Sequence, residues 1–222
     1  MDREAIRQKY IEAGYPDAEV ESSTEELEED GYVNLFFSIA EGTQTRIKTI
    51  SFSGNSFASE NTLKQQLSSK QQSLFTKGVF QESLIEEDKA AIEKYYMDSG
   101  FINFKITDVT ITPAEEEDND DRNYIELTYY LEEGKQWKFG GYLFEGNTLF
   151  SDKELQERTT LKPGSNINMS RVEADFMSIS DKYYDDGYIY NSISREELRN
   201  EDDLEISYKI NIDEKSRAHI EN

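Results

Sequence analysis

The stretch Ile92-Glu93-Lys94-Tyr95-Tyr96-Met97-Asp98-Ser99-Gly100-Phe101 decides the reading of this chain. Ile92 and Tyr96 stand four apart and so share one face of a helix. Gly100, four residues further on, suits the left-handed position that ends a helix. The pattern occurs twice more, as Ile6, Tyr10, Gly14, Tyr15 and as Ile179, Tyr183, Gly187, Tyr188. A fixed spacing of this kind marks repeated structural units.

Working outward, a second pattern keeps the same register. Glu41-Gly42 precedes Gly54-Asn55, and Glu133-Gly134 precedes Gly146-Asn147, by the same spacing. The residues between, Arg46–Ser53 and Lys138–Glu145, read as strands, and each Gly-Asn reads as a turn. Ser59 with Thr62, and Ser151 with Glu154, then open helices; the second pair is a capping box. A third pattern precedes each Glu-Gly. Val33, Leu35, Phe37 and Ile39 alternate, as do Ile125, Leu127, Tyr129 and Leu131, and Leu204, Ile206, Tyr208, Ile210 and Ile212. Period-two alternation of this length predicts strands.

One unit therefore reads strand, helix, helix, strand, strand. In the first complete unit the helices are expected at Ser59–Ser68 and Glu82–Ser99, and the hairpin at Ile102–Thr112 and Tyr124–Leu131. In the second, the loop between the helices is about five residues shorter, and the second strand is expected over Tyr188–Arg195. The predicted divisions are residues 1–42 as the C-terminal part of a preceding domain, 43–134 and 135–215 as complete domains, and 216–222 as the start of another domain or a tail. Lys215 stands where the other copies have Gly42 and Gly134, so the last junction is expected to depart from them.

Composition narrows the function. The chain has 222 residues, 47 acidic and 24 basic, for a formal charge of −23. Such a chain repels nucleic acid and anionic membrane surfaces unless its bases cluster, and no Lys/Arg-rich run appears. With 14 Tyr, 12 Phe and only 3 Pro it does not read as disordered. It has no cysteine, which excludes disulfides and thiolate metal sites. Its one histidine is His219, so histidine-based catalysis is not expected. No apolar stretch is long enough for a transmembrane helix, and the long series of alternating strands that a membrane barrel needs is absent.

The unit order, the Tyr-x3-Gly-aromatic endings and the strand-Gly-Asn openings together resemble POTRA domains, in particular the array of the BamA family of outer-membrane assembly proteins. The segment Leu74-Phe75-Thr76-Lys77-Gly78-Val79-Phe80, followed by Leu84, Asp88, Ile92, Tyr95-Tyr96 and Gly100-Phe101, resembles the middle of such a repeat. The resemblance implies an α+β fold of tandem repeats, each a three-stranded mixed sheet on two helices. It implies a non-enzymatic periplasmic arm, without cofactor, joined to a C-terminal membrane β-barrel. Its partners would be unfolded outer-membrane protein precursors and accessory assembly lipoproteins. A related translocation or secretion protein is the alternative machine.

Tyr10, Tyr96 and Tyr183 share a face with the repeated isoleucines and are assigned to packing. With Gly14, Gly54, Asn55, Gly100, Gly146, Asn147 and Gly187 they form the structural repeat motif. Three acidic clusters, Glu25–Asp30, Glu115–Asp121 and Glu196–Asp203, hold 16 of the acids. They read as solvated hairpin tips. A calcium-dependent surface module is the sharper alternative, though no EF-hand spacing supports it. The functional weight falls on the second strand, which the resemblance places at a sheet edge, where unpaired backbone groups receive an extended partner. The binding candidates are Asn103, Phe104, Lys105, Ile106 and Asp108 in one unit and Tyr190, Ser192 and Ser194 in the other. A slip of phase at Thr107–Asp108 predicts a bulge.

Overall fold

The computed structural model describes residues 3–26, 32–115 and 121–218. The chain divides into two compact units, residues 1–92 with 106–132 and residues 93–105 with 133–222.

The first unit opens with helix α1 (Arg3–Glu12) and an antiparallel pair, β1 (Glu19–Glu26) and β2 (Val33–Ala40). Val33, Leu35 and Ile39 occupy the register that is buried elsewhere in the chain, yet their exposures are 58%, 53% and 39%. This sheet has two strands among the described residues, so one apolar face lies open.

Then come β3 (Thr45–Ser53), α2 (Glu60–Gln66), α3 (Leu84–Asp98), β4 (Lys105–Pro113) and β5 (Asn123–Glu132). Ser59 caps α2 by accepting the Thr62 N–H at 3.2 Å, which satisfies a donor the helix cannot pair itself. β5 lies between β3 and β4, and β3 runs parallel to it. The parallel pairing follows from the two helices that intervene, since parallel strands need a crossover. Ile47, Ile50, Phe52, Leu63, Ile92, Leu127 and Tyr129 are buried.

In the second unit β6 (Lys138–Glu145), α4 (Asp152–Gln156), α5 (Met169–Asp185), β7 (Ser192–Asn200) and β8 (Glu205–Asp213) repeat this order, with β8 central, β6 parallel to it and β7 antiparallel. The capping box at Ser151 and Glu154 is present. Trp137, Phe139, Val172, Ile179, Tyr183 and Ile206 lie in its core. Both first strands carry one irregularity at the same place, at Lys48 and at Gly140. The fold is α+β, with mixed three-stranded sheets and helices.

Three expectations need correction. The second strand of the second unit is not Tyr188–Arg195 but Ser192–Asn200. Residues 188–191 form a turn closed by Asn191 N–H donating to the Tyr188 carbonyl at 3.2 Å, as Phe104 N–H does to Phe101 at 3.0 Å. The alternation through Ile189 and Asn191 was that of a turn. Strand β7 consequently takes in Glu196 and Glu197, so the third acidic cluster begins inside a strand and only Glu201, Asp202 and Asp203 lie in the turn. Of the first two clusters, residues 27–30 and 116–120 lie outside the described residues. The last junction does not depart from the others. Lys215 has φ +52°, in the same left-handed region as Gly42 and Gly134 at +71°.

Candidate binding edges and the carboxylates behind them

Each three-stranded sheet ends on one side in the strand singled out above, β4 or β7. Along β4, Lys105 and Asp108 are exposed and Ile106 is half-buried. Ile106, Val109 and Thr110 are the half-buried residues of the strand. Asp108 accepts its neighbour's Val109 N–H at 2.8 Å, so that donor is occupied locally. A groove of about 360 Å³ runs beside the strand, lined by Ile85, Glu86, Lys89, Ile106, Asp108 and Val109. Along β7, Ser192 and Ser194 are exposed and pair across to Asp213 and Asn211. Arg195 on this strand pairs with Glu173 at 2.8 Å.

Phe104 and Tyr190 do not belong to these edges. Phe104 is buried and stacks on Tyr96 with ring centroids 4.2 Å apart. Its place before β4, in the turn that follows the helix, turns it inward. Tyr190 lies in the equivalent turn, exposed. Asn103 is also in a turn and exposed.

Behind the edges lie two carboxylates, of which only Asp88 was named in the sequence, as part of the resemblance and without a role. Asp88 on α3 is fully buried. It accepts the Ser68 and Ser69 N–H groups at 2.6 and 3.1 Å and the Tyr129 hydroxyl at 3.0 Å. Asp175 on α5 accepts the Thr160 and Leu161 N–H groups at 2.7 and 3.0 Å and the Tyr142 hydroxyl at 3.0 Å. Each carboxylate ties the chain that leaves the first helix to the second helix and to the sheet. Tyr129 comes from the central strand β5, whereas Tyr142 comes from the outer strand β6. Burial, and then the adjacent carboxylate, pushes both phenols well above an ordinary tyrosine. With hydrogen bonds accepted on both oxygens, these acids act as structural clamps. A signal was available: Asp stands four residues before the repeated isoleucine in all three copies, at Asp2, Asp88 and Asp175, with Asp2 outside the described residues.

Tyr96 and Tyr183 are fully buried, Tyr10 is half-buried, and all three also bond. Tyr96 donates to Glu133 at 2.8 Å, Tyr183 donates to Glu214 at 3.2 Å, and Tyr10 bonds Glu41. Two sequence patterns, the helix end and the Glu-Gly junction, are thus one contact. The junction also uses the helix-ending glycines through their carbonyls. Gly14, Gly100 and Gly187 accept from Thr45, Trp137 and Ala218 at 2.8, 2.8 and 2.9 Å. At Gly54 and Gly146 a Cβ would stand 2.1 Å from the carbonyl oxygen of Leu131 or Ile212, so only glycine fits. Asn55 and Asn147 close the same turns, donating to Ala58 and Phe150 at 3.0 Å each. Among the described residues, no group of three or more Asp, Glu, His or Cys converges as a metal site would, and no helix is long and apolar enough to cross a membrane.

Residues 45–134 and 138–215 match the POTRA family, described as surface antigen variable number repeat. The chain belongs to the POTRA family. It is similar to a Treponema pallidum (strain Nichols) protein described, provisionally, as an outer membrane protein assembly factor, at 38% identity over all of this chain and 26% of that protein. It is 23% identical to the outer membrane protein assembly factor BamA of Neisseria meningitidis serogroup B, over 97% of this chain and 27% of BamA. The chain thus spans about a quarter of the length of these relatives. Two solved structures share the fold. The POTRA3–5 region of Haemophilus influenzae BamA covers 94% of this chain and 77% of its own, at TM-score 0.50 and 20% identity. Haemophilus ducreyi BamA lacking POTRA domains 1–3 covers 77% of this chain and 29% of its own, at TM-score 0.55 and 18% identity. The POTRA repeat accounts for the element order, the parallel outer strand and the free edge strand in each sheet.

Proposed function

We propose that this chain is the periplasmic, non-enzymatic POTRA segment of an outer-membrane protein assembly factor. It receives unfolded β-barrel precursors as added strands on the free edges of β4 and β7, and accessory assembly lipoproteins dock on the same array. A C-terminal membrane β-barrel completes the protein. The observation that carries this reading is the position of β4, an edge strand with an apolar and charged groove beside it. Backbone pairing along an edge is nearly independent of sequence, so many clients bind weakly and leave again. The similarity to proteins named as assembly factors supports the same reading.

We assign residues 1–42 to the end of a preceding domain, 43–134 and 135–215 to complete domains, and 216–222 to a following segment. The exposed apolar register of β2 supports the first of these divisions.

Lys105→Pro and Asp108→Pro test strand addition, because proline removes a backbone donor. Lys105 opens its strand, where proline is tolerated. Photo-cross-linking of precursor peptides to the β4 edge is expected to fall in both variants. Equal cross-linking would show that precursors do not add to this strand.

A further inference from the structure

The two complete repeats differ most between their helices. Ile47 donates to Gly78 at 2.6 Å and accepts from Gln72 at 2.7 Å. Its counterpart Phe139 donates to Ser165 at 2.8 Å and accepts from Gly164 at 2.7 Å. Gln72 and Gly78 therefore match Gly164 and Ser165, which are adjacent. The five residues between them, Ser73-Leu74-Phe75-Thr76-Lys77, have no counterpart in the second repeat.

This insertion is a formed turn. The backbones of Ser73 and Thr76 exchange hydrogen bonds at 2.9 and 3.4 Å, and Phe75 N–H donates to the Ser73 hydroxyl at 3.3 Å. Its tip residues, Leu74 and Phe75, are each 97% exposed. Turn tips favour Gly, Asn, Asp, Pro and Ser. A leucine and a phenylalanine there break the local rule and gain no packing in return, which marks a position kept for something other than folding.

The charge around the tip opposes that of the chain. From residue 42 to residue 81 the only acid is Glu60, against Arg46, Lys48, Lys64, Lys70 and Lys77. Arg46 and Lys77 line the same shallow groove as Leu74 and Phe75, and Lys70 lines the adjacent one with Lys77. Lys48 and Lys70 bond the backbone carbonyls of Glu115 and Leu67 rather than carboxylates. Among the described residues only Lys64 of this set forms an ion pair, with Glu60 at 3.4 Å.

We propose that the Leu74–Phe75 tip and the basic residues behind it dock on an anionic phospholipid surface. Two protruding apolar side chains reach the headgroup boundary while Lys70, Lys77 and Arg46 stay among the phosphates. A protein partner of ordinary size needs about 800 Å² of matched surface on each side, and a convex two-residue tip presents little of that. Screening over about 8 Å at physiological salt lets the local positive sign govern the approach despite the acidic remainder.

The test uses the whole 222-residue chain and vesicles of phosphatidylethanolamine with phosphatidylglycerol, or of phosphatidylcholine alone. Phe75→Trp supplies the reporter, since the one natural tryptophan, Trp137, is buried. Its emission is expected to shift to the blue on phosphatidylglycerol vesicles and to stay unchanged on phosphatidylcholine. Leu74→Ser with Phe75→Ser is expected to weaken sedimentation with the anionic vesicles at least tenfold. Lys70→Gln with Lys77→Gln is expected to weaken it roughly twenty-five-fold, because each base near such a surface contributes about fivefold. All these residues are exposed, so melting temperatures should not move. Absence of vesicle binding by the wild-type chain, binding that ignores lipid charge, or undiminished binding by the serine variant would overturn the proposal; with no vesicle binding, the tip is left to a protein partner.

Discussion

Asp88 and Asp175 show how much of each repeat hangs on one side chain. Replacing either with alanine leaves two backbone donors and a tyrosine hydroxyl unpaired in the interior. The expected cost is about 3 kcal/mol or more, read as a lower urea midpoint. Tyr129→Phe and Tyr142→Phe remove a single bond each and should cost about 1–3 kcal/mol apiece, although the tyrosines come from different strands. Glu214 gives a pH signature. Burial would raise its pKa, but donation from Leu149 N–H, from the Thr148 hydroxyl and N–H, and from Tyr183 outweighs burial and holds it below the ordinary glutamate value. The folded value is therefore lower than the unfolded one. The stabilisation is fully present above the unfolded pKa, about 4.3, and is lost as pH falls through the folded value. Urea midpoints followed by Trp137 emission should drop over that acid range in the wild type. The drop should be shallower in Glu214→Gln.

At the scale of elements, the junction turns set the pattern. Lys215 adopts a left-handed conformation where two sister junctions use glycine, and a side chain there costs about 1–2 kcal/mol. Lys215→Gly should raise stability by up to about 1 kcal/mol, since glycine also loses more chain entropy on folding. Thermal unfolding checks this, and a lower melting temperature would show that the Lys215 side chain contributes more than its backbone costs. The elements were legible in the sequence because their patterns recur in register: period-two runs gave β5 and β8, and Ile-x3-Tyr-x3-Gly gave the helix ends. The β7 boundary was not legible. Ile189, Asn191 and Ile193 alternate through a turn and into a strand alike, and periodicity cannot tell the two apart over so few residues. Phe104 misled for the same reason: an apolar residue beside an edge strand looks like part of it until the preceding turn directs it at Tyr96.

At the scale of the molecule, the formal charge of −23 hides a segregation. No basic run exists in the sequence, yet the fold gathers Arg46 from a strand and Lys70 and Lys77 from the loop between α2 and α3 around one apolar tip. The clustering condition that acidity alone left open is met by tertiary structure. The role of the buried carboxylates was hidden in the opposite sense. Their period was in plain view, but an aspartate on an amphipathic helix reads as solvated until its partners are known. Those partners make the repeats unequal parts. A hybrid that joined the first strand of the second repeat to the third strand of the first would bring two phenols to one aspartate. The reciprocal hybrid, with Ile50 and Ile210 at those places, would bring none. A hybrid in which both strands travel together is therefore expected to be more stable than either mixed one.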